Sequence, residues 1–220
     1  MLDFSFLEIE YGWLRMKVQA DRKYIIWSCD ECLSDPLPGM VRMYNALKEG
    51  KDAFWEIERG QKLSFKTTFK NEDKDIVWLT IHAEGRGDYL ISDETKSAKF
   101  YENADREDFL GDKEIFVEEE IATDVLMLKF EIFFDLLLSN KFYPSQYPCY
   151  SWQDDDVYDR VDNEADEFVQ KKYPHLSEEA RDKLALEYIA KHCVLNETGK
   201  DIYEKYDNML RSYVVPEDWK

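Results

Sequence analysis

IATDVLMLKFEIFFDLLLSNKF, from Ile121 to Phe142, is the stretch whose reading decides the fold. Behind a candidate cap at Thr123 or Asp124 it carries Val125, Leu126, Met127, Leu128, Phe130, Ile132, Phe133, Phe134, Leu136, Leu137 and Leu138, and it stops around Asn140. At about 100° per residue these side chains cover most of the circumference, the pattern of a helix buried on nearly every side. Asp124, Glu131 and Asp135 fall within about 40° of one another and form the one stripe expected to meet water. Lys129 lies on the opposite side, where a bare ammonium is costly, so it must snorkel to an edge or meet a carboxylate. About 17 residues bearing four charges are too short and too polar for a bilayer span, so the stretch reads as the core helix of a soluble domain.

Upstream, strands arrive in runs. Phe4 to Glu10, Trp13 to Ala20 and Tyr24 to Ser28 alternate large apolar with polar residues, broken near Tyr11-Gly12 and Asp21-Arg22, which suggests a three-strand meander. Asp35-Pro36 then has the grammar of a helix start, aspartate as cap and proline where no amide donor is needed. Leu37, Met40, Val41, Tyr44 and Leu47 recur at helical spacing until Gly50. Ala53 to Glu58, Leu63 to Lys70 and Ile76 to His82 read as further strands, and Tyr89 to Ser92, Ala98 to Tyr101 and Ile115 to Glu119 as shorter ones among acidic loops.

Downstream, Phe142 to Trp152 gathers Tyr143, Pro144, Tyr147, Pro148, Tyr150 and Trp152, which is loop chemistry with an aromatic surface. Three one-sided helices follow: Val157, Val161, Ala165, Phe168 and Val169 mark the first, Leu184, Tyr188 and Ile189 the second, and Ile202, Tyr206, Met209, Leu210 and Tyr213 the third. They are too short to fold alone and should dock on the N-terminal unit. The expected class is therefore α+β: a largely antiparallel sheet, ordered strands, helix, strands, packed on a long buried helix with a C-terminal three-helix extension. The expected division is residues 1–145 for the sheet unit and 153–220 for the helical extension.

A chain of 220 residues can bury enough surface for a core without disulfides, and its 44% hydrophobic content argues against disorder despite 35% charged residues. The net charge is −19. Glu102 to Glu120 holds nine acids and two bases, and Gln153 to Glu167 holds eight acids and one base, so two segments carry most of the imbalance. Phosphate binding needs clustered lysine and arginine, so nucleic acid is excluded as a partner, whereas a basic protein would be attracted and steered. The N-terminus has no basic start followed by an apolar run, and the four cysteines fit reduced thiols, so a cytoplasmic protein without membrane association is expected. Asn196-Glu197-Thr198 matches the glycosylation triplet, which without a secretion signal reads as chance.

Each candidate for chemistry has a plainer explanation. Cys29 and Cys32 have the spacing of a zinc knuckle, but Cys149, His192 and Cys193 do not form a second close pair, so buried thiols are expected and no metal. Asp154-Asp155-Asp156, with Asp159 and Asp162, lacks the glycine and distal glutamate of a calcium loop and suits the acidic start of a helix. Glu118-Glu119-Glu120 suits a protected sheet edge. His82, His175 and His192 are scattered, and no nucleophile elbow, phosphate loop or dinucleotide turn occurs, so no catalytic residue and no cofactor is assigned.

Ser28 to Leu37, with Asp35-Pro36-Leu37 leading into a helix, followed by Phe54-Trp55-Glu56-Ile57-Glu58-Arg59-Gly60 on a strand, resembles uncharacterised bacterial proteins of the toxin-immunity or accessory type. The resemblance covers roughly the first 90 residues, and Arg59 stands where a proline often precedes the glycine. It implies a non-enzymatic, toxin-neutralising or otherwise protein-binding role. The surface expected to carry that role combines Glu118, Glu119, Asp154, Asp155 and Asp156 as steering acids with Tyr147, Tyr150 and Trp152 as anchors. The alternatives are a small-molecule-binding domain or enzyme with a cleft between sheet and helices, and a structural scaffold or homodimer.

Overall fold

The computed structural model describes residues 2–20, 23–30, 35–58, 61–85, 90–93 and 114–219. The expected strand from Ala98 to Tyr101, Cys32 and the Arg59-Gly60 break lie outside these residues.

The alternating N-terminal runs form β1 (Leu2–Glu10), β2 (Trp13–Ala20) and β3 (Lys23–Asp30), an antiparallel meander. Leu2, Phe4 and Ile9 on β1 and Leu14, Met16 and Val18 on β2 point inward with the two-residue period of a half-buried strand. A register shift between Phe6 and Glu8 resets the alternation, so that Ile9 points inward although it is out of phase with Leu2 and Phe4, while Leu7 stays exposed.

Asp35 then starts α1 (Pro36–Lys48), its carboxylate accepting from the Leu37 amide at 2.9 Å. Gly50, at φ +66°, allows the chain to turn out of the helix, a conformation that side chains resist. Gly39 of α1 lies directly against the Trp55 indole, where any Cβ would overlap the ring.

A second antiparallel set follows: β4 (Ala53–Glu58), β5 (Gln61–Phe69) and β6 (Ile76–Gly85). The short strand β7 (Leu90–Asp93) returns to pair with β3, and β8 (Glu114–Ala122) pairs with β6. Among the described residues these strands make two four-stranded sheets, ordered β1-β2-β3-β7 and β4-β5-β6-β8. The fold is mixed α+β with antiparallel sheets, as the runs of strands imply. The split into two sheets is a property of long-range pairing that alternation cannot reveal.

The oily stretch becomes α2 (Thr123–Ser139). Its cap position is Ala122, one residue before the expected candidates; Thr123 instead donates its hydroxyl to the Lys74 carbonyl at 2.9 Å. Leu126, Phe130, Phe133, Phe134 and Leu137 face the core. Phe4 joins the layers, edge-on to Phe65 of β5 at 6.2 Å and stacked on Phe130 at 5.2 Å. Lys129 meets a carboxylate, Asp3, at 3.2 Å.

One expectation for this helix fails. Val125, Leu128, Ile132 and Leu136 are 42–50% exposed, so water reaches α2 along an aliphatic stripe beside Asp124 and Asp135, not along the acids alone. The composition saturates the helix with apolar side chains, but the sheets and neighbouring helices cover only one side of it.

After α2 come α3 (Tyr143–Gln146), a 3-10 turn (Tyr150–Trp152), α4 (Asp155–Lys172), α5 (Glu178–His192) and α6 (Glu197–Ser212). The last three do not behave as a unit. Tyr206, Met209 and Leu210 of α6 join the main core with α1 and α2, whereas Val161 and Ala165 of α4 and Ile189 of α5 form a small separate cluster. Asn196 caps α6 by accepting from the Gly199 amide at 2.8 Å, so its side chain is engaged in holding a helix end.

Candidate functional site

The segment from Phe142 to Trp152 has two sides. Its inner side is structural. Tyr143 and Tyr147 are fully buried, and the Tyr147 hydroxyl donates to Asp35 Oδ1 at 2.7 Å. Tyr206 of α6 donates to Asp35 Oδ2, and with the Leu37 amide the carboxylate accepts three hydrogen bonds. Asp35 keeps some exposed surface as a residue, but its carboxyl group is enclosed. Burial pushes that carboxyl up to about 6, and the bonds from Tyr206, Leu37 and Tyr147 and the charge of Arg42 only partly oppose it. The expected anchor Tyr147 is therefore corrected to a core residue. Its ring is apolar enough to bury, and its hydroxyl finds an acceptor inside.

Gln146 is also inward. Its side-chain and main-chain oxygens accept from the amides of Tyr11 at 3.1 Å and Gly12 at 2.6 Å, which fastens the β1–β2 turn to α3. Gly12 holds φ +80° in that turn, and Tyr11 holds φ 47°.

The outer side is where a partner could touch. Tyr150 is half-buried, edge-on to Tyr11 at 5.7 Å and to Tyr158 of α4 at 5.3 Å. Tyr11 is 43% exposed and Trp152 39%. Asp154, Asp155 and Asp156 follow after Gln153 and are all exposed, with Asp154 at the cap position of α4 but bonding no amide through its side chain. An acidic first turn suits the positive end of the helix dipole. Along the same helix, burial and then the like charges of Asp166 and Asp159 hold the Asp162 carboxyl above its usual range. Burial and then Glu8 do the same to Glu10 at the end of β1, with Asp182 of α5 adding to it. Tyr11 stands in this field, its phenol raised by burial and then by Asp162 and Glu10.

Glu118, exposed, and Glu119, half-buried, lie elsewhere, on β8 opposite Thr80 and Leu79 of β6. The expected set thus divides: Tyr150, Trp152 and Asp154–Asp156 share one stretch of surface, Glu118 and Glu119 occupy another element, and Tyr147 is inside. Glu10, Tyr11, Tyr158, Asp162 and Asp166, none of them expected at the partner surface, join the first group. They meet because the β1–β2 turn is tied to Gln146, and no local pattern at Tyr11 signals a neighbour in α4.

The described cysteines, Cys29, Cys149 and Cys193, form no metal cluster with other described side chains. Cys29 is buried with its thiol donating to the Leu14 carbonyl at 3.2 Å, and Cys149 is buried with its thiol donating to the Gly199 carbonyl at 3.2 Å. Burial pushes the Cys193 thiol up to about 11, which suppresses the reactive thiolate. Among the described residues no three histidine, cysteine, aspartate or glutamate side chains are placed to hold a metal ion, and no helix is long and apolar enough to cross a membrane.

No protein family, curated protein or solved structure matches this chain.

Proposed function

We propose that the chain is a non-enzymatic protein-binding protein of the cytoplasm that engages a basic partner through an acidic surface, as an immunity protein engages its toxin. The observation that carries this reading is the head of α4, where exposed Trp152 is separated by the buried Gln153 from three exposed aspartates and follows Tyr150 of the Tyr11–Tyr150–Tyr158 ring chain. Rings that keep one face in water offer area to desolvate at small entropic cost, and the acids around them raise the encounter rate with a cationic surface. Burial and then the like charges of Asp166 and Asp159 disfavour the Asp162 carboxylate, so a lysine or arginine arriving there would meet a group that gains from a counter-charge. Glu118 and Glu119 add to the long-range field from another element.

The test is affinity capture by the full chain from the cells that make it, at about 50 mM and about 500 mM salt, beside Asp154→Lys/Asp155→Lys/Asp156→Lys. The wild type should retain a basic protein at low salt, lose most of it at high salt, and retain little of it once the charges are reversed. Equal recovery by both proteins, or recovery indifferent to salt, abandons the acidic surface as the binding element.

A further inference from the structure

The outer face of α2 is built against the usual pattern of a surface helix. Val125, Leu128, Ile132 and Leu136 recur at spacings of three, four and four, so they form one line along about 16 Å of the rod. Each is 42–50% exposed, while Leu126, Phe130, Phe133, Phe134 and Leu137 on the other side are buried to within a percent or so. A solvent face normally carries charged or small polar residues. Among the described residues no element packs over this seam of four large aliphatics in register, which is the pattern of a helix face that docks against something else.

The charges beside the seam indicate what covers it. Asp124 and Asp135 are exposed along one flank, and β8, which runs directly into α2, presents Glu118 to solvent together with Glu120, the latter 3.9 Å from Lys70. Lys129, the one base of the helix, is committed to Asp3 at 3.2 Å. Arg211, whose charge reaches Asp135, is bonded to Asp207 at 2.9 Å. An antiparallel pairing with a second copy would lay the same acidic flank against itself, in a chain whose net charge is −19. The complementary occupant has an apolar stripe of its own and a basic flank.

We propose that the outer face of α2 docks a basic amphipathic helix of a partner protein, whose aliphatic side chains lie on Val125, Leu128, Ile132 and Leu136 while its lysines or arginines meet Asp124 and Asp135. The mode is helix against helix, read at i, i+3, i+7 and i+11. It rests on the reading of the chain as a binder of basic proteins but uses a surface separate from Trp152 and Asp154–Asp156.

The experiment is fluorescence anisotropy of the full chain with a labelled peptide of roughly 18 residues, leucine on one helical face and lysine elsewhere, beside a scrambled peptide of equal composition. Wild type should bind the amphipathic peptide at least about tenfold more tightly than the scramble. Leu128→Ser/Ile132→Ser should abolish that preference, and Asp124→Asn/Asp135→Asn should weaken the amphipathic peptide about threefold or more with a shallower salt dependence. These residues are exposed, and circular dichroism confirms that the variants fold. Asp154→Lys/Asp155→Lys/Asp156→Lys should weaken both peptides alike and keep their ratio, so failure of the α4 surface and failure of the α2 seam give different results. Equal binding of the two peptides by wild type, a preference that survives the serine variant, or a wild-type dimer by light scattering that the serine variant dissociates would each overturn the proposal, the last in favour of a second copy.

Discussion

Replacing Asp35 by asparagine should remove a pH dependence that this one carboxyl imposes on the fold. Two effects oppose each other there: enclosure favours the neutral acid, and three donors favour the ion. Enclosure wins, lifting the carboxyl from an ordinary 3.8 to about 6. The folded state therefore binds a proton more tightly than the unfolded chain. The stabilisation is fully present below pH 3.8 and is lost as pH rises towards 6. At 1.36 kcal/mol per pH unit the whole loss is up to about 3 kcal/mol, and about half of it falls between pH 5 and 7.5. That upper half is the practical window, because the isoelectric point near 4.6 lowers solubility below it. Asparagine is as good a cap as aspartate and keeps an acceptor for the Leu37 amide, so shape and capping change little. Urea titrations of wild type and Asp35→Asn followed by tryptophan fluorescence, at half-unit steps from pH 5 to 7.5, read the difference directly. The variant should gain about 1.4 kcal/mol on wild type across that range. A difference that stays flat, or that moves against the variant as pH rises, means the three donors outweigh enclosure and refutes the reasoning.

Tyr147→Phe leaves the carboxylate one donor short and should cost about 1–2 kcal/mol at pH 7.5 and less at pH 5, by the same titrations. Gly39→Ala drives a methyl group into the Trp55 indole and should cost about 1–3 kcal/mol by lifting α1 from β4, with a blue-to-red shift of tryptophan emission in the native baseline as the check. Asn196→Ala removes the α6 cap and should cost about 1 kcal/mol in thermal melts, whereas Asn196→Asp should be nearly neutral.

Much of the fold is legible in the sequence because its signals are local. Asp35-Pro36 marks the start of α1, the alternation in β1 and β2 marks their buried faces, and Lys129 is drawn to a carboxylate as an amine on an apolar side must be. What is not legible depends on partners far along the chain. An apolar helix of this composition reads the same whether one side or all sides are covered, so the exposed seam of α2 is invisible before the sheets are placed. Tyr147 and Tyr150 are equivalent as letters, and only the position of Asp35 sends one inward and leaves the other at the surface. The meeting of Tyr11 with Asp162 likewise follows from the hydrogen bonds that the Tyr11 and Gly12 amides donate to the side-chain and main-chain oxygens of Gln146, which no motif announces.

The Asp35 hub has a consequence for how the molecule is made. Its far oxygen is satisfied by Tyr206, 171 positions later, so the enclosure at the start of α1 cannot be completed during synthesis until Tyr206 has left the ribosome. Until then a carboxylate opens to water at the mouth of α1. The joint at the head of α1 is therefore closed only by the arrival of α6.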